Sequence, residues 1–275
     1  MKQLIQTCLL DINESIRAKW FLVYSLVFGG LMVMLFAFGL TESRVTGFTG
    51  LSRLLITYIQ LSMAIMPIFV LISTVRSLAG DKEAGVFEYL LSLPVSLSAW
   101  FWGKMIGRFF TVFIPVFVAM LPVIIIGGIS GYDIPWKIFF FYTSFLISLS
   151  WCFLGLSMLI STLAKSVDVA QGFAFFLWLL LLLLLDLIFL GLIMQQTSMP
   201  NTVITIALLN PLQVFRTASM MLFDSQLVLI GPAAFLILDT FGNTMYLIWA
   251  IVYPFILGTI SAVIGYITFK RGDLL

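Results

Sequence analysis

The strongest constraint on this chain is a series of apolar runs, each long enough to cross a bilayer. A helix needs about 20 predominantly apolar residues to span the hydrocarbon core. Six stretches meet that length: 20–40, 54–75, 109–129, 138–163, 169–194 and 244–269. Composition agrees, since 62% of the 275 residues are hydrophobic and 9% are charged. Soluble domains are about half apolar and a quarter charged. The polar surface here is too small to wrap such a core, so lipid must be the solvent for much of the exterior. The expectation is an all-α integral membrane protein, a single transmembrane domain over residues 1–275 with no room for a separate soluble domain.

Charge placement orients the spans. With the N-terminus in the cytoplasm, inner segments carry Lys2, Arg17, Lys19, Arg76, Lys82, Lys104, Arg108, Lys165, Lys270 and Arg271, and outer loops carry Arg44, Arg53, Lys137 and Arg216. This inward excess predicts a multi-pass protein of the cytoplasmic (inner) membrane with both termini cytoplasmic. The segment 196–243 is apolar but broken by Pro200, Asn210-Pro211, Arg216, Asp224, Gly231-Pro232 and Asp239. A full span there would place Lys270 and Arg271 outside. The segment is therefore expected to be an irregular, re-entrant outer element before the last span, packed against protein.

Residues 1–19 form a different pattern. Leu4, Cys8, Ile12 and Ile16 recur every four residues, with Ile5 and Leu9 beside them. This spacing predicts an amphipathic helix on the inner membrane surface; a plain extension of the first span is the alternative. The start of the chain lacks the marks of a cleavable leader, because no small-residue cleavage site follows the first apolar run.

Several chemistries find no support. A net charge of +2 gives no reason to expect a nucleic-acid partner. Histidine is absent, and Cys8 and Cys152 stand too far apart for a disulfide or metal pattern. No Gly-x-x-x-x-Gly-Lys-Ser/Thr loop occurs to cradle ATP. Asp186 is the one carboxylate set deep in a span. An ionisable group at the bilayer centre costs about 2.5–3.5 kcal/mol on insertion scales, so it turns toward protein or water. It is a candidate for the substrate path or a dimer interface, or else a protonated structural hydrogen-bond donor. Asn210 and Gln171 are lesser polar candidates. Met194, Met199, Met220 and Met221 are weak candidates for Cu(I), since thioethers suit that ion, but methionine is also an ordinary filler of apolar packing.

Charge concentrates in the cytoplasmic loop 76–108, which carries Arg76, Asp81, Lys82, Glu83, Glu88, Lys104 and Arg108. Val86, Tyr89, Leu90 and Leu93 follow helical spacing, and Pro94 ends the helix. Gly85 is read as permitting close approach of another backbone. A short helix with an apolar stripe and acidic flanks fits either a groove on a partner or the membrane surface.

This loop resembles the coupling region of type-2 ABC exporter permeases, on Glu83, Gly85, Phe87, Glu88, Leu90, Leu91, Pro94, Val95, Ser96, Gly103 and Lys104, although Lys82 stands where the family often has arginine. The likeness extends along the chain, including Leu209-Asn210-Pro211 through Arg216, and is greatest to the branch of NosY-type permeases, which serve copper-site maturation of nitrous oxide reductase. The resemblance implies a non-catalytic membrane subunit, paired with a second copy of itself and with two cytoplasmic ABC ATPase subunits that bind ATP and Mg. Asp81, Lys82, Glu83, Gly85, Phe87, Glu88, Tyr89, Leu90, Leu91 and Pro94 would then form the ATPase contact, with Phe87, Tyr89 and Leu90 as its anchors. The work would be substrate export, or force passed to a periplasmic accessory protein. An ion-coupled secondary transporter using Asp186 is the rival from a different class.

Overall fold

The computed structural model describes residues 2–19, 21, 23–27, 30, 50–87, 95–129, 136–184, 187, 200–223 and 242–271. All regular elements among them are helical. They are α1 (Lys2–Arg17), α2 (Gly50–Glu83), α3 (Leu97–Ile129), α4 (Trp136–Leu163), α5 (Val167–Leu179, continued by a π-helical turn Leu180–Leu184), α6 (Pro200–Leu209), α7 (Pro211–Phe223) and α8 (Asn243–Arg271).

Four helices are long and apolar enough to cross a membrane: Gln60–Glu83 within α2, Leu97–Val118 within α3, Phe139–Leu163 within α4, and α8. These overlap the second, third, fourth and sixth expected spans, with the third beginning at Leu97 rather than at residue 109. The fifth is an apolar helix over Val167–Leu183, and the rest of its expected length lies outside the described residues. Of the first, residues 21, 23–27 and 30 are helical, and the remainder also lies outside. Among the described residues, four helices rather than six are therefore long and apolar enough to span.

At the centre is α4, which packs against α2, α3, α5, α7 and α8. Its closest partner is α8, and sequence explains why. In α8, Tyr246, Ala250, Pro254, Gly258 and Ala262 are buried at intervals of four, followed by Gly265 and Phe269. Ile248, Val252, Ile256, Ile260, Ile264 and Ile267 lie exposed on the other side. A row of mostly small residues thus faces α4 while branched side chains face outward. Lipid offers no hydrophobic force between spans, so they are held by close packing and interhelical hydrogen bonds. A Cβ at Gly258 would stand 2.5 Å from the Trp151 carbonyl oxygen and 2.6 Å from the Cys152 Cα, and one at Gly155 would strike the Gly258 backbone. Only glycine fits either position. Hydroxyls bind across the seam: Ser148 Oγ donates to the Ile251 carbonyl at 2.5 Å, Trp151 Nε1 donates to Thr259 Oγ1 at 3.0 Å, and Thr162 and Thr268 meet at 3.1 Å.

The expected irregular outer segment is partly described, as two short helices that meet at Asn210-Pro211. A break in a helix at membrane depth frees backbone groups that must find partners within the protein. The Trp249 indole N–H donates to the Leu208 carbonyl at 3.3 Å, and the Tyr253 hydroxyl donates to the Leu209 carbonyl at 2.5 Å. Asn210 Oδ1 accepts from the Leu212 N–H at 3.0 Å and so caps α7, with Pro211 at the first helical position, where its missing N–H costs nothing.

A helix, α1, stands where the amphipathic element was expected, but its faces are not arranged wholly as the periodicity suggested. Asp11 and Ser15 are the buried residues, whereas Ile5, Leu9, Leu10 and Ile16 are exposed. Of the expected apolar stripe, Leu4, Cys8 and Ile12 are half-buried and Ile16 is exposed. The cause lies in α3, where Gly103 and Gly107 present a bare backbone one helical turn apart. A Cβ at Gly103 would lie 2.8 Å from Thr7 Cβ, and one at Gly107 would lie 2.8 Å from the Cys8 carbonyl oxygen. Thr7, the Cys8 carbonyl and Asp11 of α1 therefore seat on α3, and Ile5, Leu9, Leu10 and Ile16 lie away from it.

The α4–α8 contact gives a direct test. Gly258→Leu forces a side chain into backbone, beyond the usual overpacking cost of about 1–3 kcal/mol. It should abolish a monodisperse, cooperatively melting protein in mild detergent. Gly172→Ala, where nothing stands within 4 Å of an added Cβ, should melt like the parent.

Candidate functional site

The segment joining α2 to α3 is fixed at both ends by local chemistry. The second span does not stop at Val75; α2 runs on through Arg76 to Glu83. The Ala84 N–H donates to the Gly80 carbonyl at 2.9 Å and the Gly85 N–H to the Lys82 carbonyl at 3.3 Å. Gly85 then takes φ +68°, the left-handed geometry that ends helices and that glycine adopts without penalty. This corrects one expectation. Asp81–Leu93 is not one continuous helix, because the turn at 84–85 breaks it. Among the described residues of this chain, nothing stands within 4 Å of a Cβ placed at Gly85. Helical backbone resumes at Val86 and Phe87. On the far side Ser96 caps α3, its Oγ accepting from the Ala99 N–H at 3.2 Å.

The expected contact residues are not arrayed as one outward face. Glu83 Oε1 accepts the Val167 N–H at 2.8 Å, so this carboxylate sits at the N-terminus of α5, where a helix favours negative charge. Ser166 caps the same helix through the Val169 N–H. Asp81 pairs with Lys104 of α3, and the Lys104 ammonium lies 4.9 Å from the centre of the Trp100 ring. Lys82 is exposed. Phe87 is buried at 3% exposure rather than presented as an external anchor. Its ring packs edge-on to Trp100 at 5.2 Å and to Phe269 at 5.1 Å, and Phe269 stacks on Trp100 at 5.6 Å. Glu88, Tyr89, Leu90, Leu91 and Pro94 lie outside the described residues.

Beside this junction α1 is tied in by a buried ion pair. Arg108 Nε donates to Asp11 Oδ1 at 3.2 Å, and Arg108 Nη2 donates to Ser77 Oγ at 2.8 Å. One guanidinium thus joins α1, α2 and α3. Burial pushes the Asp11 carboxyl above its ordinary range, and the nearby charges of Arg108 and Lys104 oppose that shift only in part. The sequence offered one clue to this clasp, the glycines 103 and 107 spaced for close approach. It gave none for Asp11, which looked like one more polar residue of a surface helix.

The ends of α2, α3, α5 and α8, together with α1, therefore meet through short side chains and stacked rings. Among the described residues the arrangement brings no nucleophile and general base together. The membrane candidates fare differently. Asn210 is buried, and its Nδ2 donates to the Leu181 carbonyl at 2.8 Å inside the π turn of α5, with Oδ1 capping α7. Both ends of its amide thus hold the protein together. Met220 is buried and Met221 half-buried on α7. Asp186, Met194 and Met199 lie outside the described residues. Among the described residues no three of His, Cys, Asp or Glu form a group that would hold a metal ion.

Comparison with known proteins places this geometry in context. A model of the family described as "ABC-2 family transporter protein" matches residues 8–274. Two relatives described as probable ABC transporter permease protein NosY are similar over most of their length. One, from Stutzerimonas stutzeri, is 25% identical over 224 residues, covering 78% of this chain and 80% of that protein. The other, from Pseudomonas aeruginosa, is 25% identical over 221 residues with the same coverage of each chain.

The ion pair yields a test. Removing one partner of a buried pair costs about 3–5 kcal/mol, so Arg108→Gln should speed limited tryptic cleavage after Arg17 and Lys19 in the purified protein. The pH dependence follows from the raised Asp11 pKa. Stability tied to protonated Asp11 is fully present below the ordinary carboxylate range and is lost as pH rises through the raised value. Thermal melts should therefore show a gain on acidification from neutral pH toward that range, and Asp11→Asn should lack it.

Proposed function

Because this chain belongs to the ABC-2 family of transporter proteins, we propose that residues 81–96 receive the stroke of a cytoplasmic ABC ATPase and deliver it to the membrane helices. As a permease of that family the chain is a multi-pass, non-catalytic membrane subunit, and such permeases work with ABC ATPase subunits. ATP and Mg would be held in the partner, consistent with the absence of a phosphate-cradling loop here. The finer reading has six spans, both termini and residues 81–96 in the cytoplasm, and a second copy of the chain completing the permease.

The observation that carries the coupling role is the three-ring contact of Phe87, Trp100 and Phe269. It joins the connecting segment to the start of α3 and to the end of α8. Asp81–Lys104 and Glu83–Val167 add connections to α3 and α5. A rigid-body push on the segment would thus move packed spans together, the kind of change by which two-state transporters switch. Exposed Lys82 and Glu83 remain available at its rim.

Within this frame the likeness to NosY permeases supports a more specific assignment. The machine would serve copper-site maturation of nitrous oxide reductase, exporting a substrate or passing force to an extracytoplasmic partner.

Affinity purification through a C-terminal tag from gently solubilised membranes tests the first step. An ATPase subunit at one per permease is expected, and recovery of the permease alone from several mild detergents would remove the coupling reading. A periplasmic accessory protein in the same fraction would support the copper branch. Truncating a buried phenylalanine costs about 3–5 kcal/mol, whereas exposed Lys82 buries nothing. Phe87→Ala should therefore uncouple ATP hydrolysis from transport, while Lys82→Ala should stay near the parent. Equal loss in both would count against the ring contact as the transmitting element.

A further inference from the structure

A single π-helical turn, Leu180–Leu184, interrupts the α-helical geometry of α5. Such a turn bonds residue i to i+5 instead of i+4, so it holds one residue more than an α-helical turn. Nothing in the local sequence calls for it. Residues 179–185 are seven consecutive leucines, and neither proline nor glycine occurs from Phe173 to Leu190. Leucine is among the strongest α-helix formers. The wide turn is therefore held from outside.

The structure shows what holds it. Asn210 is buried, and its Nδ2 donates to the Leu181 carbonyl at 2.8 Å. In an α-helical turn that carbonyl would take the N–H four residues on. The amide of Asn210 supplies a partner in its place. Asn210 is itself fixed, because its Oδ1 accepts from the Leu212 N–H at the start of α7 at 3.0 Å. Upstream of the turn α5 is anchored. Ala170 and Ala174 are fully buried, and the Trp178 indole N–H donates to the Ala64 carbonyl of α2 at 3.1 Å. The leucine run adds a second property. Sliding it by one residue puts leucine where leucine was, so packing at the turn offers little resistance to a change of register.

We propose that the π turn of α5 is a register switch set by Asn210. When the joint between α6 and α7 withdraws, the turn closes to α-helix and the part of α5 beyond it rotates. Absorbing one surplus residue turns that part by about 100° and moves it about 1.5 Å along the axis. A side-chain tip on a helix 10–12 Å across then travels roughly 8 Å. The switch goes beyond the coupling role, since it is internal to this chain and needs no ATPase.

The test uses the full-length chain in nanodiscs, with Cys8→Ala and Cys152→Ala as the background. Spin labels are attached at Leu187→Cys, beyond the turn, and Met245→Cys at the start of α8, both exposed positions. Labelled protein is diluted with unlabelled, and the distance is read by double electron–electron resonance. A pair at Phe176→Cys, exposed and upstream of the turn, and Met245→Cys is the reference. Asn210→Ser keeps a capping oxygen but is too short to reach Leu181. It should shift the 187–245 distance by several ångström, up to roughly 8 Å, and leave the 176–245 distance unchanged. Deleting Leu182 removes the surplus residue, so the remaining leucines should close an α-helical turn with the parent 187–245 distance. Asn210→Ser added to that deletion should then cause no shift. An unchanged 187–245 distance in Asn210→Ser, or a shift of both pairs together, would overturn the proposal. The deletion decides by itself where Asn210→Ser does not fold: a quarter-turn displacement of the label at 187 would mean that no surplus residue was stored, and would also overturn it.

Discussion

The close contact of two backbones at Gly155 and Gly258 sets the positions of much else in this molecule. With no side chain between them, α4 and α8 approach nearer than ordinary helices, and α8 is held along the length of α4. That fixes where α8 ends. Phe269 reaches Trp100, Phe101 and Phe87 because the helix carrying it is seated on Gly258 about three turns earlier and on Gly265 about one turn earlier. The aromatic junction at the start of α3 thus depends on a contact between small residues in the membrane. In lipid such contacts matter more than greasy surface, because solvent and side chains are equally apolar.

The same economy of small residues governs α1. Gly103 and Gly107 let its backbone settle on α3, and the close fit removes water from Asp11 and Arg108. Two opposite charges taken out of water gain little net stability, yet losing either leaves the other uncompensated. Such a pair contributes specificity of position. Here it decides which face of α1 turns inward and links that helix to Ser77 on α2. Force arriving at the segment between α2 and α3 would therefore be felt by α1 as well as by the spans.

Several interior polar groups find their partners within the protein, as groups away from water require. Ser148 binds the Ile251 carbonyl, Ser150 binds the carbonyl of Leu146 at 2.7 Å, and the break between α6 and α7 is closed by Trp249, Tyr253 and Asn210. The π turn of α5 belongs to this pattern, since it offers the Leu181 carbonyl that Asn210 binds. Asn210 reads most simply as the joint that holds the broken segment to α5.

The amino-acid sequence alone determined that the chain is a helical membrane protein, that α2, α3, α4 and α8 are long and apolar enough to cross, and that Asn210-Pro211 interrupts the segment before the last of them. Those properties follow from run length, hydropathy and the missing N–H of proline, which act locally. Its motif residues single out the stretch from Glu83 to Lys104. Where the described ones sit was decided only by the tertiary structure. Phe87 looked like an external anchor because an aromatic beside charges reads that way in one dimension, and it became buried because Trp100 and Phe269 arrive from distant positions. Gly85 serves the left-handed turn that ends α2, a backbone angle that glycine permits but does not reveal. Asp11 became a buried ion-pair partner because its environment is made by α3, nearly a hundred residues on. Hydropathy sums over neighbours in sequence, whereas burial, pairing and pKa are fixed by neighbours in space.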